Sequence, residues 1–226
     1  MTPKCKTRVC ASLTHFIVSL LIFSALVTVQ LAIWYPSPFF SASGGWQGLK
    51  IVALVDLVLG PLLTFIVFNT KKPFSELARD ISIIVILQLT ALIWGIYTVH
   101  QQRPVVVAFW EDRFFTVPAA AITDQGIDLN TLEQFGDRTP YYVYIKKPVT
   151  PDEWAPVLKK MEENEIGPHH QPELYQTLAR HFDDIYQHEV DIDEIMNSNA
   201  AMRAEIQAAL EETNTKLRDN HYIALE

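Results

Sequence analysis

Val55-Asp56-Leu57-Val58-Leu59-Gly60-Pro61-Leu62-Leu63-Thr64 sets an acid, a glycine and a proline in the middle of a run otherwise made of Leu, Ile, Val, Ala and Phe. One such run fits inside a water-soluble core. Two more flank this one: the apolar runs cover about 11–34, 49–69 and 81–99. About 20 apolar residues suffice to cross a bilayer, so lipid is the expected solvent of all three. In lipid an ionisable side chain is costly and usually has a purpose, which makes Asp56 the first candidate functional residue.

The runs differ in what surrounds them. Lys4, Lys6 and Arg8 precede the first, which ends in Trp34-Tyr35, residues suited to the membrane interface. Lys71, Lys72 and Arg79 lie between the second and third, whereas the connection 35–48 holds no basic residue. By the positive-inside rule the N-terminus is expected inside, with three helices crossing and everything after about His100 outside. A cleaved signal peptide ending at Ser41-Ala42-Ser43 is the rival for the first run, but such apolar cores are usually only about 7–15 residues.

Charge divides the chain at the same place. Residues 1–100 carry seven Lys/Arg and three Asp/Glu, and residues 101–226 carry eleven and twenty-three. Two regions in different solvents are expected, 1–100 and 101–226, the second acidic. An acidic domain is a poor match for phosphate backbones, so nucleic acid is not an expected partner and membrane lipid is. Cys5 and Cys10 both precede the first run, so no disulfide is expected in the second region, and both read as incidental thiols.

Residues 101–226 have the size of one globular unit. Strands are expected over about 105–117, as a hairpin turning at Glu111-Asp112, and over 141–147, where β-branched and aromatic residues cluster. A short helix fits 128–135. Thr150-Pro151-Asp152-Glu153 carries the signature of a helix start, with Thr at the N-cap, Pro at the first position and Glu three residues after the Thr. Helices are expected over about 151–165, 171–188 and 199–218, each on an apolar stripe at helical spacing. The fold class is therefore a membrane protein of three transmembrane α-helices, N-terminus inside, followed by an α+β extracytoplasmic domain.

Asp56 sits about seven residues into the second span, on the order of 10 Å deep and in its outer half, at 1.5 Å per residue. By depth its candidate partners are Gln30, Trp94 and Tyr97. With no second charge deep in the runs to complete a proton path, two readings stay open: Asp56 cements the three helices, or it docks a further helix. Pro61 frees the carbonyl four residues back and bends the helix, and Gly60 allows another backbone close, so the pair marks either a helix-docking notch or a static bend. Asp112-Arg113 at the hairpin tip reads as a recognition point near the membrane or as a local ion pair. His169-His170, His181, Asp183, Asp184, His188, Asp191 and Asp193 resemble a metal site in composition, but without a zinc-binding spacing the expectation is no metal. No nucleophile elbow, phosphate loop or dinucleotide fingerprint is present, and neither an enzyme nor a cofactor is expected.

Asp56-Leu57-Val58-Leu59-Gly60-Pro61-Leu62-Leu63-Thr64, on the second of three spans, resembles the Asp-x-x-x-Gly-Pro-Leu-Leu-Thr segment of TfpX/TfpZ-type type IV pilin accessory proteins. Pro104-Val105-Val106-Val107-Ala108-Phe109-Trp110-Glu111-Asp112-Arg113-Phe114 is similar to that family's apolar strand ending in Asp-Arg-Phe. From about Thr150 the likeness is one of general character. The resemblance implies a multi-pass protein of the bacterial inner membrane with its C-terminal domain in the periplasm. It implies a chaperone or modulator that binds a cognate type IV pilin, major or minor, and promotes pilus assembly, with the assembly machinery as a second partner. It implies no cofactor and no catalysis. Asp56, Gly60, Pro61 and Thr64 in the membrane, with Asp112 and Arg113 outside, are the pilin-binding residues it suggests. The alternative is a membrane-anchored sensor or scaffold whose outer domain binds a ligand or partner.

Overall fold

A computed structural model of the chain describes residues 3–36, 38–42 and 45–226. Ser43 of the Ser41-Ala42-Ser43 stretch and the side chains of Lys4, Cys5 and Lys6 lie outside the described residues. The chain divides into two compact units, Met1–Arg103 and Pro104–Glu226.

The first unit is helical. α1 (Pro3–Val29) continues into one wide π turn, Gln30–Trp34, and a short α2 (Phe39–Ala42) leads to α3 (Gly45–Ala53). A second π turn, Leu54–Leu59, joins α3 to α4 (Gly60–Val67), and α5 (Phe74–Gln101) follows. Thr7–Trp34, Gly48–Val67 and Phe74–Gln101 are each long and apolar enough to cross a membrane. Their packing is inverted relative to a water-soluble protein. Ser19, Gln30, Gly60, Pro61 and Thr64 are buried, while Leu21, Ile33, Leu87 and Ile93 are each about two-thirds exposed. Apart from Ile84, which is buried, small and polar residues of the three helices face other helices and large apolar ones face outward, which is how helices associate in lipid, where there is no hydrophobic drive between them. α4 packs against both α1 and α5 and so forms the centre of the unit.

The wide turn over Leu54–Leu59 has a local cause. Gly60 donates its N–H to the carbonyl of Val55, five residues back, and Pro61 has no N–H to give. A missing donor disturbs the α-helical ladder, and a π turn is one way the chain absorbs it. Asp56 falls inside this turn and is the ninth of the 20 residues of Gly48–Val67. It therefore stands in the first half of this helix, within two residues of its midpoint.

The second unit is a mixed five-stranded sheet with helices. β1 (Pro104–Trp110) and β2 (Arg113–Pro118) form a hairpin, followed by α6 (Ala119–Thr123), a 3-10 segment over Leu129–Phe135, β3 (Tyr141–Ile145) and α7 (Pro151–Asn164). Then come β4 (Tyr175–Thr177), α8 (Phe182–Ile185), α9 (Ile192–Ser198), α10 (Ala200–Thr213) and β5 (Ala224–Leu225). The strand order is β4-β3-β1-β2-β5, with β1 parallel to β3 and β2 parallel to β5. Val106, Ala108, Val117, Ile122, Leu132, Val143 and Ile145 form the core, each at most 1% exposed. At the N-terminus of α7 the Thr150 hydroxyl accepts from the Glu153 N–H and the Glu153 carboxylate reaches back to the Thr150 N–H, a complete capping box.

Two expected helices take other forms. Residues 171–188 are not one helix but 3-10 turns, β4 and the four-residue α8. Pro172 contributes no backbone N–H, and β4 pairs with β3 through Tyr144↔Gln176 and its neighbours, so sheet pairing replaces the helical ladder. Residues 199–218 are not one helix either: Asn199 caps the start of α10 with its side chain, and α10 stops at Thr213 where Asn214 adopts a left-handed conformation. The strand expected to reach residue 147 ends at Ile145.

A polar floor between three apolar helices as the candidate functional site

α1, α4 and α5 enclose a groove of about 730 Å³ whose walls include Val18, Ile22, Val85, Leu89 and Leu92. Its floor is polar, and all three helices supply it. His15 of α1 makes a 2.6 Å hydrogen bond through Nδ1 to the Thr64 hydroxyl, and the Ser12 hydroxyl donates to the Pro61 carbonyl oxygen at 2.8 Å. The Gln88 amide of α5 is hydrogen-bonded to the Asp56 carboxylate, and the His15 imidazole acts on the same carboxylate electrostatically. Asp56, His15 and Gln88 are half-buried, whereas Thr64 is only 4% exposed.

Gly60 explains how these groups come so close. A Cβ built there would stand 2.1 Å from the Gln88 Nε2 and 3.1 Å from the His15 Nε2. Only a residue without a side chain lets an amide from α5 and an imidazole from α1 meet over α4. Of the residues singled out in the sequence, Asp56, Gly60, Pro61 and Thr64 thus lie in one cluster. The partners expected for Asp56 by depth are corrected. Gln30 and Trp94 line a separate cavity of about 240 Å³ that Asp56 also borders, Tyr97 does not line it and accepts instead from the Gln101 amide, and the hydrogen-bond partner of the carboxylate is Gln88. Ser12, His15 and Ser19 repeat at three and four residues on α1, a polar stripe that points to this face.

In the second unit, Asp112 and Arg113 bond each other through two parallel contacts of 2.9 and 3.0 Å, and Arg113 also reaches Glu226 at 3.3 Å. Both lie at the tip of the β1–β2 hairpin, where Glu111 takes a left-handed conformation with φ of 59°. The bond to Arg113 holds the Asp112 carboxyl below the usual carboxylate range. This is a bidentate local pair, exposed to solvent and worth little to stability by itself.

The histidines and acids of 169–193 serve several different contacts. Tyr144 donates to Asp184 at 2.5 Å, its ring lies 3.9 Å from that of His181, and burial followed by the Asp184 carboxylate pushes its hydroxyl up to about 12. His188 lies against Phe109, and His169 stacks on Phe115 at 4.5 Å. Burial, and then the neighbouring His170, bring the His169 pKa down to about 4. Among the described residues no three His, Cys, Asp or Glu side chains come together as a metal-binding group.

The chain is 37% identical to three fimbrial assembly proteins of Dichelobacter nodosus. With the protein of serogroups C1 and C2 the match runs over 95 residues, 42% of this chain and 72% of that protein. With that of serogroup I it runs over 99 residues, 44% of this chain and 38% of the relative. With that of serogroup E1 it runs over 95 residues, 42% of this chain and 37% of the relative. The chain therefore spans well under half the length of two of these relatives. No family model matches it, and no solved structure does. At this identity over most of one relative, the chain belongs to the family of fimbrial assembly proteins.

Proposed function

We propose that this chain is a type IV pilin accessory protein of the bacterial inner membrane, a chaperone or modulator that holds a cognate pilin before it enters the fibre. The pilin's membrane-spanning helix lies in the groove between α1 and α5, over Asp56 and Thr64, which line it, with Gly60 and Pro61 buried in the same cluster as supporting residues. The 104–226 unit stands in the periplasm and meets the pilin head, with Asp112 and Arg113 at its hairpin tip as a contact. The work is binding, with no covalent step and no cofactor, and the pilus assembly machinery is a further partner.

The observation that carries this reading is the groove itself. Helices in lipid associate through close packing and hydrogen bonds, because lipid tails are as apolar as leucine. A groove with apolar walls and a polar floor offers both to one more helix. The three relatives named for fimbrial assembly support a role in building a fimbria. The resemblance of Asp56–Thr64 to pilin accessory proteins supports the pilin as the partner.

Filling the groove from its wall tests the reading without disturbing the helix contacts. Val85 lines the groove and is 39% exposed, while Leu87 is 65% exposed and does not line it. Val85→Trp should abolish co-purification of the pilin with the tagged full chain, at an unchanged level of membrane protein, and Leu87→Trp should not. Pilin recovered equally with both variants would sink the docking site.

A further inference from the structure

The floor of the groove specifies more than an apolar helix. A carboxyl group, ionised or protonated, offers accepting lone pairs on its oxygens. Asp56 receives the Gln88 amide and has His15 beside it, and it borders both the 730 Å³ groove and the 240 Å³ cavity. The Gln88 bond leaves it further accepting capacity, and the residue borders open space on two sides. A lipid acyl chain laid over it would bring only CH₂ groups, leaving that capacity unanswered in a medium where unanswered polar groups are costly.

Resting on the docking reading above, we propose that the groove selects a transmembrane helix carrying a hydrogen-bond donor near the middle of its span. An amide or an ammonium fits the chemistry, and it binds the Asp56 carboxyl group from the groove that Asp56, His15 and Gln88 line together. The depth follows from the chain. Eleven residues separate Asp56 from Val67 at one end of its span and eight separate it from Gly48 at the other, about 16 and 12 Å of helix at 1.5 Å per residue. A donor within a turn of the helix terminus does not reach Asp56, and one at mid-span does.

The test uses the full chain in phospholipid nanodiscs with a leucine-rich helical host peptide whose central residue is Leu, Asn or Lys. Binding is read by energy transfer between labels on peptide and protein. The Asn and Lys hosts should bind about 3- to 30-fold more tightly than the Leu host, the range expected for one interhelical hydrogen bond. Moving the Lys to the terminal turn should remove the gain, and so should Asp56→Leu. The comparison among hosts needs no variant, so a poorly folded Asp56→Leu leaves the test intact. Equal binding of the three hosts would overturn the donor rule. So would bound phospholipid that no host displaces, seen by native mass spectrometry, which would make the groove a lipid site. If Val85→Trp abolishes pilin capture while the hosts bind alike, docking stands and the donor rule falls. If pilin capture survives Val85→Trp, both fall.

Discussion

Gly60→Ala adds one methyl group at the point where three helices meet. Gly60 has helical dihedrals, φ −60° and ψ −57°, so alanine fits the backbone without strain. As a helix-interior change alone, Gly→Ala stabilises by about 1 kcal/mol. Its Cβ would however stand 2.1 Å from the Gln88 Nε2 and 2.9 Å from its Cδ, so the amide must swing away from Asp56. Losing one interhelical hydrogen bond in lipid costs about 0.6–2 kcal/mol. The two effects nearly cancel, and the single variant should change stability by no more than about 1 kcal/mol in either direction. The informative quantity is the coupling. In a Gln88→Ala background there is no amide to displace, so Gly60→Ala should stabilise by close to its helix-propensity gain. The contact with His15 at 3.1 Å is present in both backgrounds and drops out of the difference. A double-mutant cycle on the full chain, followed by far-UV circular dichroism through an SDS titration in mixed micelles, should give a coupling of about 0.6–2 kcal/mol. The same effect of Gly60→Ala in both backgrounds would refute the contact between Gly60 and Gln88 and with it the geometry of the floor.

Three further outcomes follow from the second unit. Thr150→Ala removes one half of the capping box and should cost about 1 kcal/mol, read as faster amide exchange over 151–164, while Thr150→Ser should exchange like the parent. Leu132, 1% exposed in the core, should cost about 2–5 kcal/mol when cut to alanine, seen as a lower denaturant midpoint for this unit. His169 has a folded pKa near 4, below the ordinary 6.5, so the unfolded chain binds its proton more readily. Its contribution to stability is complete above pH 6.5 and is lost as pH falls toward 4. Denaturant midpoints measured from pH 7 down to 4 should decline through that window, and His169→Phe should flatten the decline.

What the sequence disclosed and what it hid divide by range. The three apolar helices and a following domain of helices and sheet were readable because composition over 20 or more residues reports the solvent directly. Thr150, Pro151 and Glu153 lie within four residues, and the box they build is local chemistry. Residues 171–188 misled because Leu174, Leu178, Phe182 and Ile185 repeat at helical spacing while serving other contacts. Tyr175 is buried and donates its hydroxyl to the His169 carbonyl at 2.6 Å, and Gln171 is fully buried with its amide on the Val157 carbonyl. Those bonds are tertiary, and spacing along one segment does not contain them. The polar floor was half visible for the same reason. The acid, glycine and proline stand out in the second apolar run, but His15 reads as an uncharged residue in one flanking run and Gln88 as a lone amide in the other. Only packing brings them to Asp56. The polar stripe Ser12, His15 and Ser19 is the signal that points to it in advance.

Photo-crosslinking in living cells tests the central claim most directly. A photoreactive amino acid is placed at Val85 or Leu89 on the groove wall, and at Leu87 or Leu21, which do not line the groove. In cells making the pilin, adducts should form from Val85 and Leu89, map to the pilin's membrane helix, and be absent from Leu87 and Leu21. Adducts of equal yield from all four positions, or none from the groove wall while the outward positions react, would contradict the account.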